Sequence, residues 1–156
     1  MTHQKIKACL WFDGNAEEAA EFYVSVFKDS KDSAVTSITP GPTGGALVVA
    51  FRLAGVEFIA LNGGPQFRFN EAVSLSVDCR SQEELDELWE KLSAGGSPGR
   101  CGWLKDRYGL SWQIVPAILP KLLAGADPGR VRRVMAAVMG MTKLDIRALE
   151  SAADAK

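Results

Sequence analysis

The chain has 156 residues, 47% of them apolar, enough to bury a core within one compact domain. Lys+Arg 18 against Asp+Glu 19 leave a net charge of -1, which gives no long-range attraction for nucleic acid or an anionic membrane surface. The opening MTHQKIKACL lacks the apolar core of a secretory leader, no run spans a bilayer, and Cys9, Cys79 and Cys101 form no CxxC. A cytoplasmic protein with reduced thiols and no structural zinc is therefore expected.

Taken in chain order, the elements state one unit twice. ACLWFDGNAEEAAEFY, from Ala8, runs parallel to SLSVDCRSQEELDELW, from Ser74, with Asn15 matching Ser81. Each copy begins as a short apolar strand and enters a helix behind a capping signature, Asn15 with Glu18 and Ser81 with Glu84. Ala19, Phe22, Tyr23 and Phe27 recur at helical spacing in the first, and Leu85, Leu88, Trp89 and Leu92 in the second, so both helices should lie on a sheet. Gly95 and Gly96 stop the second helix.

Between and after the helices, VTSITP near Val35, ALVVAFRLAG ending at Gly55, GVEFIALN, CGWLKD and GLSWQIVP read as strands with glycine or proline turns. GVEFIALN and GLSWQIVP align glycine on glycine, with Phe58 on Trp112. The loop NGGPQFRFNEA joins the halves. After Pro116 the chain turns helical, as AILPKLLAG, a helix opened by Asp127 and Pro128 through about Met139, and KLDIRALESA.

A duplicated strand–helix–three-strand unit resembles the vicinal oxygen chelate superfamily, which includes glyoxalase, bleomycin resistance and dioxygenase proteins. WFDGNAEEAAEFY, LNGGPQFRFNEAVSLSVDC, CGWLKDRYGLSWQIVP and KLDIRALESA look like its PhnB-like branch, labelled 3-demethylubiquinone-9 3-methyltransferase-like. The resemblance implies an α+β fold in which two βαβββ modules form a cup-shaped mixed sheet, followed by C-terminal helices. It places module one at about 5–62, module two at about 72–116 and the helical appendage at about 117–152 of a single domain, 1–156, and it implies a homodimer.

The branch's label names a methyl transfer from S-adenosylmethionine. The glycine-rich strand-to-helix turn and following acidic residue that hold this cofactor in a doubly wound sheet are missing, and so is GxGxxG, so the transferase reading is set aside. Superfamily enzymes hold a divalent metal with His, Glu or Gln from the first and last strand of each module. Within about one residue, the resemblance puts those positions at Ala8, Ile59, Ser74 and Gln113, of which only Gln113 is a plausible ligand. His3, the one histidine, precedes the first strand. The expectation is a pocket with no metal and no cofactor.

Strand alternation puts Trp112 and Ile114 on one face and Gln113 and Val115 on the other. A concave face with Gln113 and apolar neighbours suits a small, partly apolar ligand held by one or two hydrogen bonds. Trp11, Asn62, Trp103, Tyr108, Trp112 and Gln113 are the candidate ligand-binding residues, with core or hairpin packing as the alternative for each aromatic. Asp106, in LKDRYG, reads as a turn residue rather than a catalytic carboxylate. Cys101 has no histidine to activate it.

The leading expectation is thus a small-molecule-binding protein whose turnover stays open. The enzyme alternative is a divalent-metal lyase, isomerase or dioxygenase, which needs Glu57, Glu71 or Asp78 to turn inward beside Gln113. A third reading is an interaction module whose strands pair with a second copy.

Overall fold

A computed structural model describes residues 3–125 and 127–156. Contacts divide the chain into two units, Met1–Phe69 and Asn70–Lys156.

In the first unit, β1 (Ala8–Phe12) leads into α1 (Ala16–Val26), and β2 (Ala34–Pro40), β3 (Ala46–Leu53) and β4 (Val56–Asn62) follow as a meander. The sheet order is β1-β4-β3-β2, with β1 parallel to β4 and the other pairs antiparallel. Leu10, Phe12, Val49, Phe51, Leu53, Phe58 and Ala60 are buried, with Tyr23 of α1 stacked on Phe51 at 6.2 Å and Phe51 on Phe58 at 5.4 Å. Their alternates Trp11, Val48, Ala50, Ile59 and Leu61 are half-buried on the opposite face.

The N-terminus of α1 departs from its sequence signature. Asn15 makes no side-chain cap; instead the Asn62 side chain, from the end of β4, accepts from the Ala16 N–H at 2.9 Å. A cap supplied from a neighbouring strand satisfies the same backbone donor and pins helix to sheet.

The second unit repeats the plan with β5 (Ser74–Cys79), α2 (Gln82–Ser93), β6 (Ser97–Pro98), β7 (Trp103–Lys105) and β8 (Ser111–Pro116), ordered β5-β8-β7-β6. Here the local cap forms, because Ser81 Oγ accepts from the Glu84 N–H at 3.2 Å and Glu84 accepts from the Arg80 N–H at 2.7 Å. Leu85, Leu88 and Leu92 of α2 are buried with Leu104, Trp112 and Ile114. The duplication extends to the turns, where Gly55 and Gly109 adopt left-handed φ of 84° and 85°.

The C-terminal helices α3 (Leu119–Leu123), α4 (Pro128–Met139) and α5 (Ile146–Asp154) belong to this second unit. Gln82 of α2 clamps the chain between α4 and α5, donating to the Leu144 carbonyl at 3.2 Å and accepting from the Ile146 N–H at 2.8 Å. Lys143 pairs with Asp86 at 2.6 Å, and Leu144 is 1% exposed. Arg133 holds α5 to α4 through the carbonyls of Ala152 and Ala153 at 3.0 and 3.2 Å. Among the described residues, no helix is long and apolar enough to cross a membrane.

Candidate functional site

On the sheet face away from α2, β8 places Gln113 opposite Trp103 of β7 and Ser76 of β5. Gln113 donates from Nε2 to Ser74 Oγ at 3.0 Å. Ser111, two residues earlier on the same side of β8 and paired with Ser74, is 1% exposed, and its hydroxyl has no hydrogen-bond partner. An orphaned buried hydroxyl is costly unless a ligand or water completes it. Ser74, Ser111 and Gln113 therefore form an uncharged polar cluster, with half-buried Trp103 beside it. The Lys105–Glu71 ion pair neutralises the neighbouring strand and holds the Glu71 carboxyl below its usual range.

The aromatic candidates separate. Trp103 lies on the cluster's face. Trp112 does not line a pocket: it is 1% exposed on the opposite face, with its indole N–H donating to Asp106 Oδ2 at 2.9 Å. Asp106, 2% exposed, also accepts from the Tyr108 and Leu110 N–H groups at 2.8 and 3.1 Å, which makes it the organiser of the β7–β8 turn. Tyr108 is half-buried in that turn.

In the first unit, Trp11 stands on the face away from α1, but the loop after β4 packs on it. Its indole N–H donates to the Gly64 carbonyl at 2.8 Å, and Phe67 meets its ring edge-on at 5.0 Å. At Gly63 a Cβ would come within 2.2 Å of the Trp11 ring, so this contact requires glycine. Asn62 has both ends of its amide committed, accepting from Ala16 N–H and donating to the Ala46 carbonyl at 2.8 Å, and serves as a brace rather than a free ligand group.

Strand register corrects one of the four metal-ligand positions. Ala8 pairs with Phe58 on the helix-covered side, and the residue across from Ile59 is Cys9. In the second unit Ser76 is the partner of Gln113, although Ser74 makes the hydrogen bond. Of the carboxylates, Glu57 is held by Lys7 at 2.7 Å, which keeps its carboxyl below the usual range, and Glu71 by Lys105. Asp78 is exposed on the side of β5 that carries Ser76. One amide, the hydroxyls of Ser74, Ser76 and Ser111 and one exposed carboxylate do not fit a divalent metal, and among the described residues no three His, Cys, Asp or Glu gather as a ligand set. S-adenosylmethionine fits no better, because each sheet carries one parallel pair and the described residues form no doubly wound parallel sheet.

Ser111, Ser76 and Cys9 were missed by sequence reasoning. Alternation from Gln113 already places Ser111 on its side; Ser76 and Cys9 need the strand register, which sequence does not supply.

Two βαβββ units with mixed four-stranded sheets define a glyoxalase/bleomycin resistance/dioxygenase fold, that of the vicinal oxygen chelate superfamily. Within it, the chain belongs to the PhnB-like family described as 3-demethylubiquinone-9 3-methyltransferase, which matches residues 4–115. A PhnB protein from Bacillus cereus with the same description is 35% identical, with a TM-score of 0.67 over 73% of this chain and 100% of that one. Protein PA1353 from Pseudomonas aeruginosa, at 19% identity, shares the fold with a TM-score of 0.58 over 70% of this chain and 95% of its own. So does the fosfomycin resistance protein FosX from Listeria monocytogenes, complexed with Mn(II) and sulfate, at 18% identity and a TM-score of 0.52 over 72% and 90%. No curated protein matches the chain.

Proposed function

We propose that the protein binds a small, partly apolar organic ligand through neutral hydrogen bonds, without a metal. The observation that carries this reading is the Gln113–Ser74 hydrogen bond beside the unpartnered, buried Ser111 hydroxyl. These groups offer donors and acceptors but no charge, so they favour an uncharged carbonyl, amide or hydroxyl group over a phosphate or carboxylate. Trp103 supplies flat apolar surface next to them, the usual complement to a few fixed polar groups in a binding site. Binding alone needs no catalytic base, in keeping with a chain whose single histidine is His3.

The test is titration with a panel of uncharged aryl ketones, amides and phenols, followed through the backbone amide resonances of β8, which every variant retains. The expected result is a saturable shift from at least one compound, lost in Gln113→Ala and weakened in Ser111→Ala. Binding that ignores both substitutions and Trp103→Ala would refute the assignment.

A second reading is a divalent-metal lyase, isomerase or dioxygenase, favoured by the position of Asp78 on the Gln113 side of the sheet and by the Mn(II) of the FosX fold neighbour. It predicts metal affinity that falls in Asp78→Asn. We further propose a homodimer in the cytoplasm. The exposed Ile6, 84% accessible ahead of edge strand β1, and three unpaired thiols support it, and light scattering of the purified chain tests the stoichiometry.

A further inference from the structure

We propose that Cys101 and Met139 form a binding site for a soft monovalent metal ion, Cu(I) or Ag(I), separate from the Gln113 face. Cys101 Sγ lies 3.6 Å from Met139 Sδ. Cys101 is half-buried and Met139 is 54% exposed, so an ion reaches both sulfurs from solvent. Thiolate and thioether are both soft donors, the kind that suits Cu(I).

The geometry accepts an ion with little movement. With metal–sulfur bonds of about 2.3 Å, two sulfurs 3.6 Å apart subtend roughly 100° at the metal. Rotation of the unbranched Met139 side chain opens this toward the wider angle of a two-coordinate ion. Binding is a substitution without redox change: Cys101 Sγ gives its proton to solvent, and the ion exchanges solvent ligands for the thiolate and the thioether.

The two sulfurs are brought together by hydrogen bonds to the backbone that do not need the ion. Cys101 and Gly102 donate their N–H groups to the carbonyls of Met141 and Thr142, each at 2.8 Å, and Arg100 donates to the Met139 carbonyl at 3.1 Å. Cys101 itself is held at a left-handed φ of 61°. The other thiols are placed differently: Cys79 is buried, which pushes its pKa up to about 12, and Cys9 lies beside Ile59 in the sheet. Met139, at the end of α4, lies beyond residues 4–115, so one of the two sulfur donors falls outside the segment that the family model matches.

The test is anaerobic titration with Cu(I) in competition with bathocuproine disulfonate, with methyl-¹³C methionine spectra of the same samples. The sequence has four methionines, so the Met139 methyl signal is readily assigned by Met139→Leu. The expected result is one retained equivalent and a moved Met139 methyl resonance. Met139→Leu should weaken binding at least tenfold, Cys101→Ser should abolish it, and Cys9→Ser should leave it unchanged. Circular dichroism establishes that each variant is folded. No Cu(I) retained by the folded protein, binding unaffected by Met139→Leu, or binding that follows Cys9 would overturn the proposal.

Discussion

Asp106→Ala is expected to be among the most destabilising single substitutions in the second unit. The side chain accepts hydrogen bonds from the Tyr108 and Leu110 N–H groups and from the Trp112 indole, and the last two of these are buried. Removing the carboxylate strands both buried donors at about 1–3 kcal/mol each, and the turn-closing bond to Tyr108 goes with them. A loss of about 4 kcal/mol is expected, a large share of the 5–15 kcal/mol that typically holds a domain folded. For a chain of this size, roughly 2–4 °C is lost per kcal/mol, so the melting temperature should fall by about 8–16 °C. Urea unfolding and a thermal scan measure both quantities. In a double-mutant cycle, Trp112→Phe should couple to Asp106→Ala, because the two substitutions remove the same bond. A fall under about 3 °C with no coupling to Trp112 would refute the argument that this carboxylate organises the turn.

Thiol titration at pH 8 should label Cys9 and Cys101 in the native protein and spare Cys79, whose burial pushes its pKa up to about 12; denaturation should release the third thiol. Asp86 is held below its ordinary carboxylate value first by the hydrogen bond from Lys143 and then by that from Gln82. A depressed folded-state pKa adds stability that is present above the unfolded value and lost as pH falls through the folded one. Lys143→Ala should therefore raise the Asp86 pKa, followed by carboxyl-carbon NMR, and lower stability at neutral pH while leaving it nearly unchanged at about pH 2. Gly63→Ala should disrupt the loop over Trp11, because the new methyl group would overlap the indole ring; a red-shifted Trp11 emission in a variant with the other tryptophans replaced by Phe checks it.

Much of this architecture is written locally and so is legible in the sequence. Ser81 and Glu84 cap α2 as their spacing predicts, and Asp127 caps α4 through a bond to the Gly129 N–H at 2.9 Å. The paired glycines 55 and 109 mark equivalent turns because both need a left-handed backbone. What stayed hidden depends on partners distant in sequence. Asn15 carries the residue type of a cap, yet Asn62, at the end of another strand, makes the bond to Ala16. The two-residue β6 is too short to leave a periodic signal. Trp112 has the composition of a pocket wall, but its polar edge is satisfied by a buried Asp106, which alternation alone does not reveal.

The site was legible in part for the same reason. The repeat aligns Gln113 with Ile59, whereas exchanging Ala8 for Cys9 takes a one-residue shift in register, and such a shift turns a side chain to the opposite face. The Cys101–Met139 contact joins a strand turn to the end of a helix, and neither spacing nor composition points to it.

The central claim, a ligand site at Gln113 that works without a divalent metal, is tested most directly by elemental analysis of the purified protein. Thermal shifts against Mg²⁺, Mn²⁺, Fe²⁺, Ni²⁺ and Zn²⁺ complete the measurement, because an ion that binds only the folded state raises its melting temperature. The account predicts no stoichiometric divalent metal and no shift that depends on Gln113. One equivalent of metal, lost in Gln113→Ala, would contradict it and move the protein to the metal-dependent enzymes of its superfamily.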